Sequence, residues 1–325
     1  MQSETMFLPS PIAFHVFGRE IRWYAIFILI GMIGGVAMAC RIAKKYGWTA
    51  DDIIDVALVA LPSAILGARI YYVVFKWDYY SQHPFDIFKI WEGGLGIYGG
   101  IIAGILAGVI YCKIKKRDIW VLLDMGAPSI AFGQAVGRWG NFTNQEAFGV
   151  VVTNPKWQWF PASVYIQADG QFHYATFFYE SMWCFLIVIA LLLLRKRFRH
   201  RGDVVLAYAM LYSAERMIVE GLRTDSLYIG DIRVSQALSA ILFVGILAFF
   251  IIRFLRERKH PIVISNKLHP DYAWIDEENE VETEPVSINK EKEEKPIPPM
   301  RLQDERLDAE PWENEENIIE DEEEK

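Results

Sequence analysis

Cysteine occurs three times in 325 residues and histidine six times. Three cysteines make no disulfide framework. The six histidines are not set at ligand spacing, so no metal site is expected. Charge is missing from three long stretches: residues 23–40, 93–112 and 234–252 are uncharged runs of 18, 20 and 19 residues. Runs of that length cross a hydrocarbon core about 30 Å thick, which excludes a soluble globular enzyme. The first apolar run also lacks a clearly basic stretch before it and is long enough to span. We read it as a retained helix rather than a cleaved signal peptide.

The net charge of −8 hides a partition. Residues 261–325 carry 7 Lys/Arg against 22 Asp/Glu, a net of −15. Subtraction from the totals of 33 and 41 leaves 26 basic and 19 acidic residues in 1–260, a net of +7. The basic body does not indicate nucleic acid, because its charges sit in short loops between apolar segments. The tail, acidic and poor in apolar runs, is expected to be disordered.

Windows of about 19 residues place seven spans, at 23–40, 56–75, 93–112, 119–137, 175–194, 204–220 and 234–252. The expected fold is therefore an all-α polytopic membrane protein. Lys and Arg in the connections set its orientation, since basic loops stay cytoplasmic. Sixteen follow spans one, three, five and seven, whereas the other side holds eight, two in each segment. The N-terminus is then outside and the C-terminus cytoplasmic. The domain reading is an extracytoplasmic segment 1–22, a transmembrane domain 23–255 and a cytoplasmic tail 256–325. Residues 138–174, with Trp157, Trp159 and Phe160, are expected to form a small extracytoplasmic head.

Charged groups inside spans cost about 2.5–3.5 kcal/mol each at mid-bilayer and so mark sites. Tyr24, Arg69, Tyr98, Arg138, Glu180, Arg216 and Glu220 all fall in the outer half of the bilayer by helical rise. Arginines with tyrosines and carboxylates at headgroup depth suit an anionic phosphate. Simple helix-to-helix ion pairing is the alternative for any one of them. Asp124, near the inner end of its span, is read as helix packing. A transporter of an anionic solute is the competing reading, but it predicts charges at mid-membrane and an internal repeat, and neither is found.

Gly94-Leu-Gly-Ile-Tyr-Gly99 has the letters of a dinucleotide fingerprint but opens a membrane helix, where no βαβ unit can follow. The repeats Gly31-x-x-x-Gly35 and Gly100-x-x-x-Gly104-x-x-x-Gly108 are close-packing faces. The densest motif is Gly137-Arg-Trp-Gly-Asn-Phe-Thr-Asn-Gln-Glu-Ala-Phe-Gly149, set where the fourth span should end. Its glycines permit close backbone approach, Arg138 and Asn141 donate to phosphate, and Glu146 can orient an arginine.

This motif resembles the signature of bacterial prolipoprotein diacylglyceryl transferases nearly residue for residue. Further blocks share the resemblance: Arg22-Trp-Tyr24, Gly67-Ala-Arg-Ile-Tyr-Tyr72, Trp91-Glu-Gly-Gly94, Thr176-Phe-Phe-Tyr-Glu-Ser181 and Arg216-x-x-x-Glu220-x-x-Arg223. It covers roughly residues 12–255 and leaves the acidic tail outside. Two positions depart from the family pattern. Tyr98 stands where the family has the histidine of His-Gly-Gly, and Tyr174-Ala175 stand where it has His-Pro.

The resemblance implies transfer of diacylglyceryl from phosphatidylglycerol to the lipobox cysteine of prolipoprotein signal peptides, at the outer leaflet of the bacterial cell membrane. It implies no cofactor; the partners are those two substrates and membrane lipid. Arg138 and Arg216 are expected at the phosphate, oriented by Glu146 and Glu220, with Asn141, Gly149, Tyr24, Arg69 and Arg223 along the lipid. Tyr98, with an ordinary pKa of about 10, is expected to touch the headgroup or relay a proton. The incoming thiol, with a pKa of about 8.5, ionises more readily among arginines. The enzyme's own Cys40, Cys112 and Cys184 are expected to lie away from the site.

Overall fold

The computed structural model describes residues 10–198, 200–223, 228, 229 and 232–259. The acidic tail from residue 260 onward and the first nine residues lie outside them. The described part is mostly helical: α1 (Trp23–Ala43), α2 (Ala50–Phe75), α3 (Trp77–Tyr80), α4 (Ile97–Ile114), α5 (Ile119–Asn144), α6 (Thr176–Leu194), α7 (Asp203–Val219) and α8 (Val234–Lys259). Three antiparallel hairpins join them, β1 (Ile12–Val16) with β2 (Arg19–Arg22), β3 (Ser163–Ile166) with β4 (Gln171–Tyr174), and β5 (Tyr228–Ile229) with β6 (Ile232–Arg233). The expectation of a purely α protein is corrected by these ribbons.

Among the described residues, six helices are long and apolar enough to cross a membrane: α1, α2, α4, α5, α6 and α8. Their outward faces carry exposed Ile, Leu, Val and Phe, such as Leu58, Leu66, Ile102, Leu193, Ile241 and Val244. A face of that kind suits hydrocarbon, not water. The seventh expected span corresponds to α7, which has 17 residues and carries Glu215 and Arg216 within it.

Helix starts follow local chemistry. α2 begins six residues before the expected span because Thr49 and Asp52 form a capping box, with Asp51 and Asp52 at the positive end of the helix dipole. Gly202, the capping position just before α7, has no side chain to cap the helix. Asp124 of α5 supplies the cap, accepting from the backbone N–H of Gly202 at 2.7 Å and of Val205 at 2.9 Å. This buried carboxylate is thus a packing group, as its position near the inner end suggested.

α5 packs against α1, α6 and α7, while α2 pairs with α4 and α7 with α8. Small residues set the closest crossings. A Cβ on Gly31 would lie 3.1 Å from the carbonyl oxygen of Gly133, and one on Gly99 would lie 2.3 Å from that of Gly67. The second contact permits no larger residue, so α2 and α4 meet backbone to backbone. α5 also runs seven residues past its expected end at 137. The first half of the glycine-rich motif is therefore helical, and Arg138 sits within the helix rather than terminating it.

Candidate functional site

The last two turns of α5 and the chain beyond it build one end of the bundle. A Cβ on Gly140 would strike the Tyr24 ring at 2.5 Å, so the bare glycine lets Tyr24 lie flat on α5. Tyr24 is there within electrostatic range of Glu146 and Arg138. The helix stops at Gln145, whose φ of 51° is left-handed, and Ala147 repeats that conformation at 55°. The reversal brings Glu146 back over the helix end. Its Oε1 accepts from Asn141 Nδ2 at 3.1 Å and from Asn144 Nδ2 at 3.4 Å. Two of the residues expected at the lipid thus hold each other.

Gly149 joins three segments. Its N–H donates to the Tyr174 carbonyl at 3.0 Å, it bridges to Arg223, and the next residue, Val150, donates to the Leu222 carbonyl at 2.8 Å. A Cβ at Gly149 would lie 2.9 Å from Tyr174 Cβ, which explains the glycine by packing. His173 ties the β3–β4 ribbon to the same point. Its two ring nitrogens face the Gly149 carbonyl and the Asp169 carboxylate, each at 2.7 Å. The hydrogen bond to His173 holds the Asp169 carboxyl below its ordinary pKa.

The charged centre lies where α5, α6 and α7 meet. Glu180 of α6 is 1% exposed. Arg138 forms an ion pair with its Oε2, while Arg216 Nη1 and Arg223 Nη1 approach its two oxygens at 3.6 Å each. Arg216 also pairs with Glu220, whose backbone carbonyl accepts from Arg233. Glu180 is the hub of three guanidiniums, a role not assigned to it from the sequence. Glu215, also buried, lies among Glu180, Arg216, Arg138 and Arg223, and among the described residues neither of its oxygens has a hydrogen-bond partner. Cys184, one turn along α6 from Glu180, is within electrostatic range of Arg138 as well. The expectation that every cysteine lies away from this region is corrected for that residue, which is fully buried.

Arg138 and Arg216 keep donors beyond those they give to carboxylates. Their side chains are 20% and 17% exposed, and none of their nitrogens is both buried and unpartnered. A guanidinium has five N–H groups, so an incoming phosphate finds accessible donors in a cluster already fixed by Glu180 and Glu220.

Two expected members are elsewhere. Arg69 of α2 donates from Nε to the Ile87 carbonyl at 2.9 Å, from Nη1 to Gly93 and Gly94 at 2.7 and 3.0 Å, and from Nη2 to Asp86 and Lys89 at 2.5 and 3.3 Å. All five donors go to the backbone between α3 and α4, with the Tyr80 ring 5.2 Å away. Gly94, with φ of 70°, allows the approach, since a Cβ there would lie 2.6 Å from Arg69 Nη1. The Gly67–Tyr72 and Trp91–Gly94 blocks are therefore partners in one clamp. Tyr98 of α4 is 57% exposed, its ring contact is Tyr71, and no described contact joins it to Arg138 or Glu180.

Known proteins resemble this chain over most of its length. The family described as prolipoprotein diacylglyceryl transferase matches residues 11–252. A phosphatidylglycerol–prolipoprotein diacylglyceryl transferase of Bacillus licheniformis is 43% identical over 262 residues, covering 79% of this chain and 97% of that protein. The protein of the same name from Clostridium botulinum is 44% identical over 252 residues, covering 77% and 99%. That from Streptococcus equi subsp. equi is 43% identical over 257 residues, covering 78% and 97%. The matched stretch contains the whole Arg138–Glu180–Arg216 cluster and stops short of the acidic tail, and so the chain belongs to the prolipoprotein diacylglyceryl transferase family.

Proposed function

We propose that this protein moves the diacylglyceryl group of phosphatidylglycerol onto the lipobox cysteine of a prolipoprotein. The observation that carries this reading, beside family membership, is the buried carboxylate hub with accessible guanidiniums. The cysteine sulfur bonds to the glyceryl carbon as the bond from that carbon to the phosphate oxygen breaks. The electron pair leaves with glycerol phosphate, whose charge grows as the bond opens. Arg138 and Arg216 face that charge with preorganised donors, the arrangement that stabilises a developing anion most effectively. The thiol proton departs easily because the same positive field favours thiolate.

Glu180 and Glu220 fix the two arginines, while Asn141 and Glu146 shape the helix end beside them. Tyr24 and Arg223 border the headgroup. Arg69 and Gly149 act indirectly in this scheme, Arg69 by holding the loop before α4 and Gly149 by joining the head to α7. Tyr98, exposed and with no side-chain hydrogen bond among the described residues, is available to a headgroup. α7 serves as a seventh, polar span, its charged groups neutralised by α5 and α6 instead of by water. Basic residues concentrate at the Arg41 and Arg195 end, which supports a cytoplasmic position there. The site and the β3–β4 head then face the outer leaflet of the bacterial cell membrane.

The test is purified protein in phosphatidylglycerol vesicles with a lipobox peptide. The expected result is a diacylglyceryl thioether on the cysteine and one glycerol phosphate released per thioether. Peptide left unmodified, or solute uptake without lipid consumption, overturns the reading.

A further inference from the structure

A second basic cluster lies at the other end of α1. Arg41, at the end of that helix, and Lys45, in the 3₁₀ turn Lys44–Tyr46, face Arg195 at the end of α6. Arg41 is 17 residues beyond Tyr24, about 26 Å along the helix. Among the described residues none of the three side chains makes an ion pair or hydrogen bond, and no Asp or Glu lines the space between them. Lys45 feels the positive charge of Arg195 and Lys196. Arg195 Nη1 is buried with no partner. Like charges gathered round an unspent, buried donor repel one another unless an anion joins them.

The space is a groove of about 480 Å³ between α1 and α6, floored by α5. Its cationic end continues into an apolar one, walled by Met38, Phe132 and Leu192. Gly34, at the far end, leaves room for the Phe132 ring, which a Cβ would strike at 2.4 Å. From Gly34 to Lys45 the groove runs about 16 Å by helical rise, close to half of a hydrocarbon core about 30 Å thick. A soluble anion would use the cations and leave the wall bare. An acidic peptide would do the same. One molecule carries both a phosphate and an apolar chain one leaflet long.

We infer that this groove is a second lipid site, which holds an anionic phospholipid by its phosphate at Arg41, Lys45 and Arg195 and by an acyl chain against Phe132 and Leu192. The leaflet, cytoplasmic, rests on the orientation proposed above; the binding does not. The site is separate from the cluster around Glu180, which occupies the opposite end of the bundle.

The test uses the full chain in phosphatidylcholine vesicles with a trace of phosphatidylglycerol bearing a photoactivatable diazirine in its acyl chain, and no acceptor peptide. Peptides containing Met38 or Leu192 are expected to be labelled. The triple variant R41Q/K45Q/R195Q is expected to lower that label about a hundredfold, from the loss of three cations, while label near Arg138 persists. If both labels vanish, the triple variant has misfolded, and Lys45→Glu decides, because Lys45 is exposed and its reversal leaves the helices intact. A several-fold loss at Met38 and Leu192 in K45E supports the site, and unchanged label overturns it. Equal labelling by a phosphatidylcholine probe overturns it, reducing the groove to an apolar crevice. Displacement by excess inorganic phosphate overturns the lipid in favour of a soluble anion. Carbodiimide coupling of Lys45 to Asp or Glu in 261–325, at the expense of lipid label, assigns the groove to the tail instead. The leaflet is read separately, from protection of Lys45 against an impermeant amine reagent on intact cells.

Discussion

Arg69, buried, and Arg138, half-buried, are both arginines of apolar helices, yet their surroundings differ in kind. Arg69 gives all five donors to backbone carbonyls and has no hydrogen bond left to offer. Arg138 is tethered to a carboxylate and keeps accessible donors. The carbonyl-saturated arginine shapes the chain, because neutral dipoles fix its direction and consume its capacity. The carboxylate-tethered one can rearrange toward a stronger anion, because a phosphate competes for donors in the same currency of charge-assisted bonds. Depth in the membrane does not separate these cases. Acceptor type does.

The comparison breaks most readily at the hub. Glu180→Gln removes the charge that three guanidiniums share, and loss of one partner from a buried pair costs about 3–5 kcal/mol. Denaturant unfolding in detergent is expected to show that loss together with a collapse of turnover. Next come the arginines themselves. Arg138→Ala or Arg216→Ala is expected to slow thioether formation by about 10²–10³, the usual effect of deleting one donor at a developing anion. Lysine should recover little, since it lacks the planar fork. Normal rates in either alanine variant would remove these residues from the phosphate.

Arg69→Ala should divide the two roles cleanly. The loop before α4 loses its clamp, and stability is expected to fall by about 2–3 kcal/mol, in the range of hydrogen bonds to a charged group. Turnover per folded molecule should stay within about threefold, because the rate-relevant donors belong to other helices. A hundredfold rate loss with unchanged unfolding would place Arg69 at the lipid after all. Tyr98→Phe is a smaller perturbation. Loss of one neutral hydrogen bond, about 1 kcal/mol, should lower kcat/KM several-fold, whereas a proton relay would show as a large fall in kcat and a displaced pH profile.

What the sequence made legible follows the same physics. Charged residues within apolar runs are conspicuous because insertion is costly, so depth alone singles out Arg138, Arg216, Glu220 and Glu180. Depth does not say who partners whom, so it groups Arg69 with the lipid ligands and gives Glu180 no role as their hub. The span count rested on composition, and α7 satisfies it poorly because its polar residues are neutralised by neighbours that no window average includes. α5 overruns its expected end because an apolar window stops at the polar motif, whereas Gly140 is helical and accommodates Tyr24. The β3–β4 ribbon did have a signal. Asp169-Gly170 stands between Val-Tyr-Ile and Phe-His-Tyr, a turn dipeptide between two strand-forming runs.

That ribbon supplies the mildest test, because its electrostatics are local and exposed where those of the Glu180 hub are buried. The His173 hydrogen bond holds the Asp169 carboxyl below its usual value, so the folded pKa is depressed. A depressed pKa means the stabilisation is fully present above the unfolded value, near 4, and is lost as pH falls through the lower folded one. Amide exchange across residues 163–174 is therefore expected to speed up, relative to its intrinsic rate, only below about pH 4. Asp169→Asn should remove that pH dependence while leaving turnover at neutral pH unchanged. Should the variant instead slow turnover as strongly as Arg138→Ala, the link from Asp169 through His173 to Gly149 would reach the arginine cluster, and the ribbon would be part of the site rather than its support.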